Sequence, residues 1–197
     1  YQQNTMRDAI VAALSLNIFN KHSDRIAMAN IAQVVNVLQA MLLTEGSKIL
    51  KTPTYDVFRM YVPHQGAELV ESHTDETTCV ESGRTVKGPA VHYNDITIPA
   101  LSESVSVTEQ NGQKLLTITL VNTSLCDTLS VQLELPMQYS FAGEASIAML
   151  DGEVHAYNTF EDPDHVRAYE TEEEWSGNIQ TLTLPVNSVR RVNCYVC

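Results

Sequence analysis

The spacing of hydrophobic residues changes near residue 65, and the two parts of the chain predict different kinds of structure. Over residues 5–23 the apolar side chains recur every three or four positions, which is the pattern of an amphipathic helix. Thr5 followed by Asp8 is close to a capping box, so the helix should begin just after Thr5. It should end between Asn20 and Ser23. The residues of its apolar stripe are Ile10, Val11, Leu14, Ile18 and Phe19.

The next segment, residues 25–32 (RIAMANIA), is a nearly continuous apolar run. A strand that is buried on both faces of a parallel sheet has this composition, so we predict a strand here. A helix is the competing interpretation, because alanine is frequent in the run and the hydrophobic stretch continues to Leu43. As a strand, the segment would place Asn30, Gln33 and Asn36 at its C-terminal end or just past it.

A second helix is predicted from Pro53, which suits the first turn of a helix, to Pro63, which closes it. Helix, strand and helix would together form one slice of an alternating α/β fold. In a barrel of that type, side chains at the C-terminal ends of the strands face the active site. The amides of Asn30, Gln33 and Asn36 could then hydrogen-bond to sugar hydroxyls, or could merely satisfy the backbone of a loop.

From about residue 66 the pattern becomes that of β-structure. Residues 104–109 alternate, Asn111-Gly112 is a hairpin turn signal, and residues 114–122 predict the partner strand. Short strands separated by turn residues indicate an antiparallel sandwich or barrel. The acidic run at residues 170–174 is expected to be a solvated loop. Further strands are predicted at residues 129–135, 147–149 and 179–184.

This change of pattern divides the chain into two structural units, with a boundary between residues 64 and 68. The predicted fold class is α+β overall, with the helix–strand–helix unit over residues 1–65 and a β-sandwich over residues 66–197. Hydrophobic residues make up 44% of the chain and charged residues 18%, so it can bury a core. No apolar run is long enough for a membrane helix.

The charge balance limits the partners that the chain could bind. Twelve basic and 24 acidic side chains give a net charge of −12, which argues against binding to nucleic acid or to an anionic membrane. A neutral substrate such as a sugar fits this balance. The four cysteines are too few for a disulfide scaffold, and the Cys194/Cys197 pair has no second pair at zinc spacing.

The acidic and aromatic residues offer no clear catalytic centre. Glycoside hydrolysis needs two carboxyl groups that flank the scissile bond, and no such pair follows the predicted strand. Glu45 is predicted to lie in a turn with Thr44 and Gly46. Trp175 and Tyr157 could stack on sugar rings, but they are more often core or rim residues. A metal-binding cluster is the minority interpretation of one loop, whose candidates are His155, Glu161, Asp162, Asp164 and His165.

Four blocks of the sequence resemble glycoside hydrolase family 51, the α-L-arabinofuranosidases. Residues 4–20 (NTMRDAIVAALSLNIFN) and 24–39 (DRIAMANIAQVVNVLQ) are similar to the region after the catalytic nucleophile of that family. Residues 52–61 (TPTYDVFRMY) resemble its final barrel helix, although Asp56 stands where a histidine is often expected. Residues 155–166 (HAYNTFEDPDHV) resemble a signature of its C-terminal sandwich. The blocks occur in the family's order.

The resemblance implies that residues 1–65 are the last strand and helices of a (β/α)8 barrel, followed by a jelly-roll-like sandwich. It implies a retaining, exo-acting enzyme that releases terminal arabinofuranose from arabinoxylan- and arabinan-type oligosaccharides without a cofactor. Gln33 corresponds to a family residue of the arabinose subsite, and Asn30 and Asn36 are weaker candidates as its neighbours.

The family's two catalytic glutamates belong to earlier barrel strands and have no counterpart here. The resemblance therefore implies a C-terminal fragment that is inactive without the N-terminal part of the barrel, and a parent enzyme that forms a homo-oligomer. A non-catalytic sandwich that binds carbohydrate or has a structural role is the alternative. The sequence starts at Tyr1 without a signal-like segment, an absence that says little about where the protein is located. A cytoplasmic location is slightly favoured over secretion.

Overall fold

The computed structural model describes residues 4–32, 34–74, 78–81, 84–87 and 90–197, which form two helices and a set of antiparallel strands. Helix α1 is Met6–Lys21, helix α2 is Pro53–Tyr61, and a single 3-10 turn follows at Val62–His64. In chain order the strands are β1 (Leu42–Glu45), β2 (Lys48–Lys51), β3 (Glu68–Val70), β4 (Thr78–Glu81), β5 (Arg84–Lys87), β6 (Ala90–Tyr93), β7 (Ile96–Pro99), β8 (Leu101–Gln110), β9 (Gln113–Asn122), β10 (Leu129–Glu134), β11 (Phe141–Asp151), β12 (Tyr169–Gly177), β13 (Ile179–Leu184) and β14 (Ser188–Val196).

Both predicted helices are confirmed, and local sequence explains their ends. Asp8 accepts hydrogen bonds from Thr5 N at 2.9 Å and Thr5 Oγ1 at 2.8 Å, which fixes the first turn of α1. Pro53 occupies the first turn of α2, where its missing N–H has no helical partner to lose. Among the described residues, no helix combines the length and hydrophobicity required to cross a membrane.

A six-stranded antiparallel sheet is the centre of the molecule, with the strand order β12-β11-β14-β9-β8-β3. The predicted hairpin is confirmed as β8 and β9, joined by Asn111 at φ 53° and Gly112 at φ 77°. Strands β10 and β13 pair with each other and form a second layer. Their leucines pack with Phe141, Ile147 and Trp175 in the sandwich core. The fold is therefore mostly antiparallel sheet with two helices.

The helices cover the opposite face of the large sheet. Met6, Ala9, Ala13 and Val57 are fully buried there against residues of β9, β11 and β14. Burial of this apolar surface is the main force that attaches the helices to the sheet. The sheet residues that complete this core are Val121, Ala148, Leu150 and Val189.

A polar network also joins the helices to the sheet. Tyr61 Oη donates to Asn17 Oδ1 at 2.7 Å, and Thr119 Oγ1 donates to the same oxygen at 2.9 Å. The His64 ring lies 2.7 Å from Ser106 Oγ through Nδ1 and 3.2 Å from Thr119 Oγ1 through Nε2. The buried groups thus satisfy one another, as they must in a dry interface.

The predicted strand at residues 25–32 is wrong, and no barrel strand lies between α1 and α2 in the described part of the chain. Residues 26–31 have irregular backbone, and most side chains of the segment are exposed. A parallel strand is stable only when neighbouring strands pair with it, and no described strand lies beside this one.

Two further expectations need correction. The acidic run at residues 170–174 lies in β12, which pairs with β11 at the edge of the large sheet. An edge strand leaves one side of its backbone in water, so it tolerates a row of charged side chains. The pattern also did not predict the hairpin of β1 and β2, whose strands have four residues each.

Candidate functional site

Asn36, one of the candidate arabinose-binding amides, lies in a loop that folds back on strand β1. Asn36 has φ 56°, a left-handed conformation that asparagine tolerates better than most residues. Its Oδ1 accepts from Thr44 N at 2.7 Å, and its Nδ2 donates to Thr44 Oγ1 at 2.8 Å. Val34 O accepts from Met41 N and Leu42 N at 3.1 Å each. Asn36 therefore has a local structural role, and its predicted contact with a sugar stays a prediction.

Asn30 lines a cavity of about 240 Å³ between α1, α2 and residues 29–32. The cavity walls are mainly apolar, with Leu16, Phe19 and Phe58 among them. Gln39 and Thr54 add polar groups, and Thr54 Oγ1 is buried without a hydrogen-bond partner among the described residues. Sequence reasoning did not select these two, although Gln39 is the fourth amide of the run that contains Asn30.

Gln33, the third predicted sugar ligand, lies outside the described residues, so its role stays a prediction. The structure brings Asn30 and Gln39 to one cavity, whereas the side chain of Asn36 is directed to Thr44. Of the three predicted residues, Asn30 is therefore the one that is observed to line a cavity.

The carboxyl groups near the cavity have structural partners. Asp8 lines the cavity but binds the first turn of α1 through Thr5. Glu45 is the last residue of β1 rather than part of the turn, and it is exposed next to Gly46. Asp56 is buried and accepts from Ala168 N at 3.1 Å, and burial raises the pKa of this carboxyl above its usual value. No described pair of carboxyl groups faces the cavity as a catalytic pair would.

The other candidate residues are distributed over the sandwich. Trp175 is 3% exposed and stacks edge-on with Phe141 at 5.2 Å between centroids, so it offers no surface to a sugar ring. Tyr157 is 41% exposed. His165 Nδ1 lies 3.1 Å from Asp162 Oδ2, but no group of three metal-ligating side chains occurs in the part of the chain that the structure describes.

Comparison with known proteins places this arrangement in a family. The family model for the α-L-arabinofuranosidase C-terminal domain matches residues 1–188. An intracellular exo-α-L-arabinofuranosidase of Bacteroides ovatus is 37% identical over 174 residues, which are 85% of this chain and 30% of that protein.

Solved structures show the same fold. The family 51 arabinofuranosidase of Xanthomonas axonopodis pv. citri superposes with a TM-score of 0.79 at 32% identity, over 98% of this chain and 36% of that one. An arabinose complex of the Thermotoga maritima α-L-arabinofuranosidase gives a TM-score of 0.75 at 27% identity, over 97% of this chain and 38% of that one. The chain thus spans about a third of the length of these relatives. It belongs to the α-L-arabinofuranosidase C-terminal domain family, as found in glycoside hydrolase family 51.

Proposed function

We propose that this chain is the C-terminal part of a retaining, exo-acting α-L-arabinofuranosidase that releases terminal arabinofuranose from arabinoxylan- and arabinan-type oligosaccharides. The observation that carries the proposal is the family match over residues 1–188, joined to relatives that are named arabinofuranosidases. We also propose that residues 1–65 belong to the end of the catalytic barrel and that residues 66–197 form the C-terminal sandwich. The net charge of −12 is compatible with a neutral sugar as substrate.

An exposed apolar surface supports the idea that further polypeptide packs on the helical layer. Met28 and Leu38 are 76% and 77% exposed, and Val11, Ile18 and Ile49 are about half exposed or more. Exposed apolar side chains in this number are expected where further polypeptide covers a surface. We propose that the covering part is the barrel portion of the parent enzyme.

The chain alone is proposed to be inactive, because retaining hydrolysis needs an acid/base and a nucleophile about 5 Å apart. Asp8, the carboxyl group that lines the cavity, is bound to Thr5, and the buried Asp56 of α2 is bound to Ala168. The chain would instead contribute the amides Asn30, Gln33 and Asn36 to substrate recognition. The side-chain oxygen and the NH2 group of Asn36 each keep one further hydrogen-bonding position after their contacts with Thr44.

The test uses the complete protein that contains this chain. We expect it to release nitrophenol from 4-nitrophenyl α-L-arabinofuranoside, and to release only single arabinose units from arabino-oligosaccharides. Proton NMR should show that the first product has the same anomeric configuration as the substrate. An inverted anomer would refute the retaining mechanism, and internal cleavage would refute the exo action.

The recognition residues are tested by comparison with a remote amide. Asn30→Ala should raise KM about tenfold, the effect of losing one or two sugar hydrogen bonds of ~1.4 kcal/mol in total. Gln132→Ala, which removes an exposed amide on β10, should leave KM unchanged. Equal KM values for both variants would remove Asn30 from the proposed subsite. Light scattering of the complete protein would test the predicted homo-oligomer.

A further inference from the structure

The loop between β11 and β12, residues 152–168, contacts α1, α2 and the β1–β2 hairpin. At its start, Val154 O and Ala156 O accept from Arg7 N and Met6 N at 2.9 Å each, so it holds the beginning of α1. At its end, Ala168 N donates to Asp56 of α2. We refer to residues 152–168 as the clamp loop.

The middle of the clamp loop contacts the β1–β2 hairpin through Asn158. This side chain is 7% exposed, and its Nδ2 donates to Lys51 O and to Val166 O at 2.9 Å each. Its Oδ1 accepts from Val166 N at 2.7 Å. One amide thus closes the clamp loop on itself and ties it to the last residue of β2.

Phe160 provides the apolar part of the same contact. The hairpin has a small core of its own, made of Ala40, Leu43 and Leu50, which is separate from the two large cores of the molecule. Phe160 packs against these residues from the sandwich side. Val37 packs on the same core from within the loop, so Phe160 is the apolar contact that the sandwich side of the chain provides to these three buried residues.

The hairpin in turn determines the shape of the loop with the candidate amides. Thr44 of β1 holds both polar atoms of Asn36, and Thr52, just after β2, donates through Oγ1 to Ala40 O at 2.8 Å. A displaced hairpin would therefore displace Asn36 and the turn at Gln39, whose side chain lines the cavity beside Asn30.

We propose that Asn158 and Phe160 are positioning residues for substrate binding: the sandwich uses them to hold the hairpin and residues 34–44 in the geometry that recognises the sugar. This inference rests on the proposed function for the identity of the sugar. In this inference, the sandwich contributes to sugar recognition without contacting the substrate. A protein whose competent geometry is populated in a fraction of molecules binds with an affinity reduced by that fraction, so loosening the hairpin should raise KM.

The experiment uses the complete protein with Phe160→Ala, Phe160→Leu and the control Tyr139→Ala, which truncates an exposed ring of the sandwich outside the clamp loop. Hydrogen exchange by mass spectrometry reports on residues 34–44, and initial rates with 4-nitrophenyl α-L-arabinofuranoside give KM and kcat. If Phe160→Ala leaves the competent geometry in about one molecule in ten, it should raise KM about tenfold with kcat within about twofold, remove most of the protection from exchange in residues 34–44, and leave β9 and β14 protected. Phe160→Leu, which retains an apolar contact, should recover most of both effects, and Tyr139→Ala should change neither.

A second variant tests the polar contact without removing bulk. Asn158→Asp cannot donate to Lys51 O, so it should reproduce the KM effect and the faster exchange. Unchanged exchange in residues 34–44 for both Phe160→Ala and Asn158→Asp would overturn the inference. Faster exchange with an unchanged KM would also overturn it, since the hairpin would then have no part in recognition. A wild-type protein with no arabinofuranosidase activity would refute the proposed function instead, while the exchange result would still decide whether the clamp exists.

Discussion

The stability of this chain should depend on pH through His64, which lies between the helices and the sheet. Burial lowers the pKa of His64 to about 4, from 6.5 for an unperturbed histidine. Both ring nitrogens already have hydroxyl partners, Ser106 and Thr119, so the neutral ring fits the site. A proton on the ring would place a charge in a partly desolvated interface.

The sign and size of the effect follow from linkage. Above pH 6.5 the ring is neutral in both the folded and the unfolded chain, so the full stability is present. As the pH falls through 6.5 toward 4, the unfolded chain binds a proton that the folded chain excludes, and the free energy of unfolding decreases. The difference between the two pKa values corresponds to ~3 kcal/mol in total, and to about 2–3 kcal/mol at pH 4.5.

Urea unfolding followed by the fluorescence of Trp175, the only tryptophan, measures this loss directly. His64→Gln, which can hydrogen-bond but cannot titrate here, should lose about 2–3 kcal/mol less than wild type between pH 7 and pH 4.5. Asp56, whose pKa is raised by burial, acts in the opposite direction, but it is present in both proteins and cancels in the comparison. Identical pH slopes for the two proteins would refute the reasoning.

Three further changes test the packing. Asn17→Ala should cost about 2–4 kcal/mol of unfolding free energy in urea, because it removes a buried amide that accepts from Tyr61 and Thr119 and donates to Ser102. A loss no larger than that of Asn20→Ala, which removes one hydrogen bond, would contradict this. Gly112→Ala should cost about 1 kcal/mol in thermal unfolding, since φ is 77° there, and an unchanged Tm would contradict the strain. Ile18→Ser should reduce self-association in light scattering without lowering Tm, because this side chain is 54% exposed, whereas a lower Tm would show that it is already packed.

Local signals in the sequence predicted those elements that depend on few partners. The capping pair Thr5 and Asp8, the initial Pro53 and the turn Asn111-Gly112 each determine their structure through neighbours a few residues away. The strand at residues 179–184 is observed with the predicted bounds, because its alternation reflects one face on the sandwich core.

Elements that depend on distant partners were less predictable. The apolar run at residues 25–32 predicts burial on two faces, but a strand forms only where neighbours pair with it, and none lies there among the described residues. The acidic residues of β12 are not typical of a strand, so the pattern predicted a loop there. They are tolerated because β12 lies at the edge of the sheet. In the candidate site, the sequence predicted that Asn30, Gln33 and Asn36 lie near one another. It did not predict the hydrogen bonds between Asn36 and Thr44, which depend on the β1–β2 hairpin.

The most direct test of the account compares arabinofuranosidase activity of this 197-residue chain alone, of the remainder of the complete protein alone, and of the two expressed together. We expect no turnover of 4-nitrophenyl α-L-arabinofuranoside by either part, and turnover when the exposed face of the helical layer can pack against the remainder. Turnover by the rigorously purified chain alone would contradict it.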